Sequence, residues 1–136
     1  MPDDKTPQAP NLDLIQLVQR ARLQHDADAV PSAIAAVYWI ECEADVPTAA
    51  PTPRAGAWVI ECDVANVDAV WDTVKRATRM GKLGYKSKVL TASRKGGRDS
   101  TSRVILVGTA DRADSADCAR VRDALEGLGL APLRYE

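Results

Sequence analysis

Phenylalanine is absent from this chain of 136 residues, which has one histidine, three cysteines, three tryptophans and three tyrosines. No apolar run approaches the roughly 18 residues that suggest a membrane-spanning helix, so we expect no membrane partner. The first residues lack a basic region followed by an apolar core, so no secretory signal is predicted. An odd, small number of cysteines is untypical of a disulfide scaffold and favours a reducing, cytoplasmic location.

The common motifs of nucleotide-binding and hydrolytic sites are also missing. There is no Walker loop, no G-x-G-x-x-G and no G-x-S-x-G. Cys42, Cys62, Cys118 and His25 could in principle form a zinc site, but zinc ligands usually come in close pairs and these do not. We therefore predict no metal and no cofactor, and we interpret the cysteines as core residues.

The chain length suits one domain. Residues 1–10 contain three prolines and few apolar residues, which predicts a disordered tail. Residues 46–56 contain Pro47, Pro51 and Pro53, which predicts a loop. The remaining pattern predicts a single α+β domain over residues 11–136.

Helical periodicity is clearest in the middle of the chain. Asn66 is the predicted cap of a helix over residues 67–80, which Gly81 ends. Its apolar stripe has helical spacing and consists of Val67, Val70, Trp71, Val74 and Thr78. A first helix over residues 12–24, capped by Asn11, and a last helix capped by Asp114 or Ser115 are also predicted. The last helix ends at Gly129, and its predicted core-facing side chains are those of Cys118, Val121, Leu125 and Leu128.

Short β-rich segments alternate with these helices. Strands are predicted in the second half of residues 34–42 and over residues 57–63, 86–92, 103–109 and 130–135. The order α, β, β, α, β, β, α, β predicts an α+β protein with a mixed or mainly antiparallel sheet backed by helices.

The net charge of −1 hides two opposed blocks. An acidic block, residues 26–72, has nine acidic residues against Arg54, a net charge of −8. A basic block, residues 75–103, has ten basic residues against Asp99, a net charge of +9. The total argues against indiscriminate nucleic-acid binding, whereas the division indicates an interaction surface.

The basic block contains the candidate ligand site. Lys86, Lys88 and Arg94 share one strand parity, so their side chains can point to the same face. Three cations of a glycine-containing loop, Arg94, Lys95 and Arg98, suit a phosphate together with Arg103. Three other interpretations stay open: a solvated surface, internal pairing with the acidic block, and pairing between subunits of an oligomer.

One tryptophan is a candidate for ligand stacking. Trp71 belongs to the apolar stripe and Trp58 begins an apolar strand, so both are predicted core residues. Trp39 can stack on a base or another planar ligand, although core packing is the commoner role of such a residue.

Several short motifs carry a family resemblance. They are AGAWVI at 55–60, VDAVW at 67–71, GKLGYKSKV at 81–89 and the final Leu-Arg-Tyr strand. Together they resemble the basophilic leukemia expressed protein family, whose members are often labelled phosphothreonine lyase domain-containing. That family is similar in fold to the cap-binding translation initiation factors, which have a curved antiparallel sheet backed by helices. In those factors a basic loop holds the ligand phosphates, and Arg94 and Lys95 fall at similar places.

The lyase label implies a base, an acid and cations around the phosphate. Lys86 or Lys88 would be the base, and Arg94, Arg98 and Arg103 would hold the phosphate. The acid of the known lyases is a histidine, and His25 lies outside the region that carries the resemblance.

Three functions follow as expectations. The first is a binding module for a phosphate-bearing ligand, namely a nucleotide or other small molecule, an RNA end or a phosphopeptide, held by the basic strand and loop. The second is a phospholyase-like enzyme that eliminates phosphate with a lysine base. The third is an interaction protein that pairs its acidic and basic faces.

Overall fold

The computed structural model describes residues 12–33, 39–91 and 101–136. Its elements, in chain order, are α1 (Leu12–Asp28), a short 3-10 helix (Pro31–Ala33), β1 (Trp39–Glu43), β2 (Gly56–Asp63), α2 (Val64–Arg79), β3 (Lys86–Leu90), β4 (Ser102–Thr109), α3 (Ser115–Gly127) and β5 (Arg134–Tyr135). The predicted order of helices and strands is confirmed, and residues 46–55 form the predicted loop. The predicted tail (residues 1–10) and the predicted cap Asn11 lie outside the described residues.

All five strands form one antiparallel sheet in the order β1-β3-β4-β2-β5. The expected antiparallel α+β architecture is therefore confirmed. Because side chains alternate between the two faces of a strand, the register assigns each strand residue to a face. Ser87 lies opposite Val107, and Lys88 lies opposite Leu106.

One sheet face is covered by α2 and α3, and we call it the helix face. Apolar side chains from both layers form its core, namely Ile40, Ile60, Val89, Ile105 and Val107 from the sheet and Val67, Trp71, Val74, Val121 and Leu125 from the helices. The predicted stripe of α2 is confirmed, with Val70 partly buried at its edge. Burial of this kind provides the main favourable term in folding.

Helix α2 begins earlier than predicted. It starts at Val64, so Asp63 occupies the cap position and the prediction of Asn66 as the cap is wrong. Asp63 makes no side-chain cap, but the amide of Val64 donates to the carbonyl of Thr101 at 2.6 Å. That backbone bond satisfies one of the amides that a helix start leaves without an intrahelical partner.

Glycines end α2 and α3 as predicted. Gly81 has φ 77° and Gly129 has φ 81°, the left-handed conformation that glycine adopts easily after a helix. Leu128 was expected to point inward, but it is the C-cap residue and is exposed. It lies beyond the last helical turn, so helical periodicity no longer determines its direction.

The last strand is shorter than predicted. Its two residues, Arg134 and Tyr135, pair with β2, and the flanking amides of Leu133 and Glu136 donate to the carbonyls of Val59 and Ala57 at 2.7 and 2.8 Å. The amide of Leu130 still bonds to the carbonyl of Leu125 at 3.0 Å, and Pro132 has no amide to donate. These residues therefore connect α3 to the sheet instead of extending β5.

A polar cluster attaches β5 to the rest of the sheet. The indole of Trp58 donates to the carbonyl of Cys118 at 2.9 Å and contacts the ring of Tyr135 edge-on, with 5.0 Å between centroids. The hydroxyls of Tyr135 and Thr109 lie 2.7 Å apart. Burial raises the pKa of Tyr135, which keeps its hydroxyl protonated and able to donate.

The 3-10 helix and the end of α1 are tied to α2 by polar contacts. Lys75 Nζ donates to the carbonyl of Ala27 at 2.8 Å, and the amide of Ser32 donates to Asp68 Oδ1 at 3.0 Å. Lys75, one residue of the basic block, therefore has a structural role at the C-terminal end of α1.

The connection between α2 and β3 passes unusually close to β4. A Cβ added at Gly84 would overlap the carbonyl oxygen of Gly108. Both groups belong to the backbone, so neither can move aside without disturbing the sheet. Only glycine permits this approach.

We expect Gly84→Ala to lower the free energy of unfolding by about 3 kcal/mol or more, because the added methyl group displaces a sheet backbone. Gly127→Ala is the matched control, because nothing lies within 4 Å of its added Cβ. Urea unfolding of both variants measures the difference. Equal stability of the two variants would contradict the close approach.

Cys42 lies on the helix face of β1, where it is buried beside a pair of hydrogen-bonded hydroxyl groups. The hydroxyls of Thr78 and Ser87 lie 2.7 Å apart, and Thr78 also hydrogen-bonds the Cys42 thiol. Burial raises the pKa of Cys42 to about 11, against the lowering effect of the Thr78 hydrogen bond. The native thiol therefore keeps its proton at a pH where an unfolded cysteine ionises.

Between about pH 9 and pH 11 the native state holds more protons at Cys42 than the unfolded state, so stability falls as the pH rises. We expect the free energy of unfolding to fall more steeply over this range in the wild type than in Cys42→Ala. Urea unfolding at a series of pH values checks this. Parallel curves for the two proteins would rule out the contribution of Cys42.

Candidate functional site

The sheet face opposite α2 contains the charged side chains of the edge strand β1 and of its neighbour β3. We call it the lysine face, and the register assigns to it, among others, Trp39, Glu41, Glu43, Ala57, Val59, Glu61, Lys86, Lys88, Leu90, Val104 and Leu106, together with the backbone of Gly108. The antiparallel register places Glu41 opposite Lys88 and Glu43 opposite Lys86. The predicted shared face of Lys86 and Lys88 is present in the structure.

Both lysines converge on a single carboxylate. Lys86 Nζ lies 3.5 Å from Glu41 Oε2, and Lys88 Nζ lies 3.7 Å from Glu41 Oε1. The three groups together carry a net charge of +1. Glu43, at the exposed end of β1, makes no ion pair within the described ranges. With Glu43 counted, the charged side chains of β1 and β3 on this face sum to zero, so an anion is attracted where it lies closer to the two ammonium groups than to the two carboxylates.

Two shallow cavities flank these lysines. The first has a volume of about 250 Å³ and is lined by Ala55, Gly56, Ala57, Tyr85, Lys86, Lys88, Leu106, Gly108 and Glu136. The second has a volume of about 370 Å³ and is formed largely by the loop before β2. Tyr85 and Lys86 line both cavities, so the two share a wall.

The structure separates one predicted ligand residue from the lysines. Arg103 pairs with Cys62 and has the parity of Ile105, so it belongs to the helix face. Its guanidinium donates to the carbonyl of Ser102 at 2.8 Å. Because strand parity alternates, Arg103 and Lys88 lie on opposite faces of the sheet.

Trp39 lies on the lysine face, where it is half-buried opposite Leu90. The structure thus places this candidate stacking residue on the same face as Lys88. The loop cations Arg94, Lys95 and Arg98 lie outside the described residues. So does the side chain of His25, the acid that the lyase label implies.

Sequence reasoning missed two residues of this site. Glu41 is absent from the prediction because β1 and β3 are distant in sequence, so no local signal gives their register. Tyr85 precedes a predicted strand and carried no motif of its own. A signal for it existed at Gly108, since a glycine inside an apolar strand often marks a close approach.

Several residues of the basic block form ion pairs with residues of the acidic block within the chain. Besides the contacts of Glu41, Arg79 Nε lies 3.2 Å from Asp45 Oδ2, and Arg76 lies 3.1 Å from Asp72. These pairs join residues of the basic block to residues of the acidic block. Most of these groups are exposed, so each pair contributes little stability.

No cluster of three metal-ligating side chains occurs among the described residues. All three cysteines are free, and burial raises the pKa of Cys62 as well as that of Cys42. None of the helices in the described ranges combines the length and apolar character needed to cross a bilayer.

Comparison with known proteins identifies the family. No curated protein matches the chain. A family model described as basophilic leukemia-expressed protein Bles03 matches residues 44–134, a range that runs from the end of β1 to β5 and includes the lysines and both glycines of the close approach. The match spans well over half of the sequence and agrees with the resemblance of the motifs, so the chain belongs to the Bles03 family.

Proposed function

We propose that this protein is a binding module for a phosphate-bearing ligand, which Lys86 and Lys88 hold at the lysine face. The observation that supports it is the convergence of two ammonium groups on one carboxylate at 3.5 and 3.7 Å. Both amines retain donors that Glu41 does not use, because each ammonium has three. A phosphate oxygen can accept these donors in charge-assisted hydrogen bonds.

The exposure of the site suits a ligand that comes from solution. The side chains of Lys86 and Lys88 are 28% and 39% exposed, so a ligand can reach them. Adjoining cavities of about 250 and 370 Å³ leave room for the rest of a small molecule.

The surroundings of the site support two further parts of the proposal. A five-stranded antiparallel sheet with α2 and α3 on one face is consistent with the architecture of the cap-binding translation initiation factors. Three free cysteines are consistent with a reducing cytoplasm. The loop cations Arg94, Lys95 and Arg98 follow β3 in the chain, but the proposal depends on the two lysines.

The other expected functions stay predictions. A lyase needs an acid beside its lysine base, and the acid that the lyase label implies is His25, whose side chain lies outside the described residues. An interaction between acidic and basic faces of two subunits competes with the ion pairs that these faces already make within the chain.

The double variant Lys86→Gln, Lys88→Gln tests the proposal, because it removes both ammonium groups. We expect its affinity for inorganic pyrophosphate to fall about tenfold or more, and we expect wild-type affinity to fall with added salt. Isothermal titration calorimetry measures both effects.

The matched control is Arg76→Gln, Arg122→Gln. It changes the net charge equally but removes exposed cations from α2 and α3. Affinity of this control should stay at the wild-type value. Equal losses in the two double variants, or a wild type that binds no pyrophosphate, would refute the assignment.

A further inference from the structure

Among the residues that the structure describes, Tyr85 is the one aromatic side chain that lines both cavities of the lysine face. Its ring lies over Gly108, because a Cβ at that glycine would be 3.3 Å from Tyr85 Cε1 and 3.4 Å from Cζ. The absence of a side chain at Gly108 thus makes room for the ring. Tyr85 is half-buried, so part of the ring remains accessible to a ligand.

The cavity beside this ring has an apolar floor. Ala57 and Gly108 pair across β2 and β4, and Leu106 and Gly56 continue the floor. Glu136 lies at the rim, where its carboxylate accepts from Arg134 at 2.9 Å. Inorganic phosphate makes no apolar contact with such a floor, whereas a planar apolar group can pack on Ala57 and Leu106, beside the Tyr85 ring.

The arrangement of the two cavities indicates the size of the ligand. Lys86 lies in the wall between them, so a ligand whose phosphate meets Lys86 has its remaining atoms in one cavity or the other. An aryl phosphate has a single oxygen between its ring and phosphorus, so its ring stays close to the lysines that hold the phosphate. A nucleotide has a base, a sugar and a terminal phosphate in series, so its phosphate can meet the lysines while its base lies in the first cavity, beside Tyr85.

We infer that the ligand of the lysine face is a nucleotide, whose base packs beside Tyr85 on the floor formed by Ala57 and Leu106. The phosphate then meets Lys86 and Lys88, so this inference rests on the proposed function. Tyr85 is accordingly a specificity residue, since it distinguishes a nucleotide from a simple sugar phosphate.

The test compares AMP, GMP, CMP and UMP with ribose 5-phosphate and inorganic phosphate by calorimetry. We expect the wild type to bind at least one of these nucleotides about tenfold more tightly than ribose 5-phosphate, as a stacked base provides. Tyr85→Ala should abolish this preference, so that nucleotides and ribose 5-phosphate bind with equal affinity. Tyr85→Phe keeps the ring and should keep the preference.

A second variant distinguishes loss of the base-binding surface from a folding defect caused by Tyr85→Ala. Ala57→Leu fills the floor without removing Tyr85 or either lysine, and it should also abolish the preference for a nucleotide. Circular dichroism and thermal unfolding establish that each variant is folded.

The outcomes separate the two proposals. Equal affinity of the wild type for all four nucleotides and for ribose 5-phosphate overturns the inference but leaves a phosphate site. A nucleotide preference that survives in both Tyr85→Ala and Ala57→Leu overturns it too, as does tighter binding of a phosphotyrosine peptide than of every nucleotide. Failure to bind any phosphate compound instead overturns the proposed function itself.

Discussion

Antiparallel pairing of β1 with β3 places Glu41 opposite Lys88, and the remaining geometry of the lysine face depends on this register. A slip of one residue would exchange the two faces of a strand. Lys86 and Lys88 would then point at α2, and Ser87 and Val89 would point away from it. The apolar core on the helix face opposes that slip, because two unpaired ammonium groups would have to be buried there.

Small residues connect this register to the cavities. Gly84 lets the chain pass against the Gly108 carbonyl at the entry to β3, and Gly108 in turn accommodates the Tyr85 ring. The same backbone approach therefore sets where β3 begins and where the ring lies. The fold and the proposed site depend on the same close approach of the backbone. This explains why the apolar strand β4 contains Gly108, although glycine inside a strand weakens packing.

Periodicity and turn residues were sufficient to predict the order of elements, because each signal lies within one short segment. The stripe of Val67, Trp71 and Val74 and the stop at Gly81 are local in this sense. The first residue of α2 was less predictable, because the amide of Val64 donates to the carbonyl of Thr101, which is far along the chain. Strand pairing is equally non-local, so the partnership of Glu41 with the lysines and the separation of Arg103 from them required the structure.

The central claim is that the lysine face, and not the helix face, receives the ligand. A titration of ¹⁵N-labelled full-length protein with inorganic phosphate, followed through amide chemical shifts, tests it most directly. The largest changes are expected at Tyr85, Lys86, Lys88 and Leu106, with α2 and α3 almost unchanged. Changes concentrated on α2 and α3, with β3 unaffected, would contradict the claim.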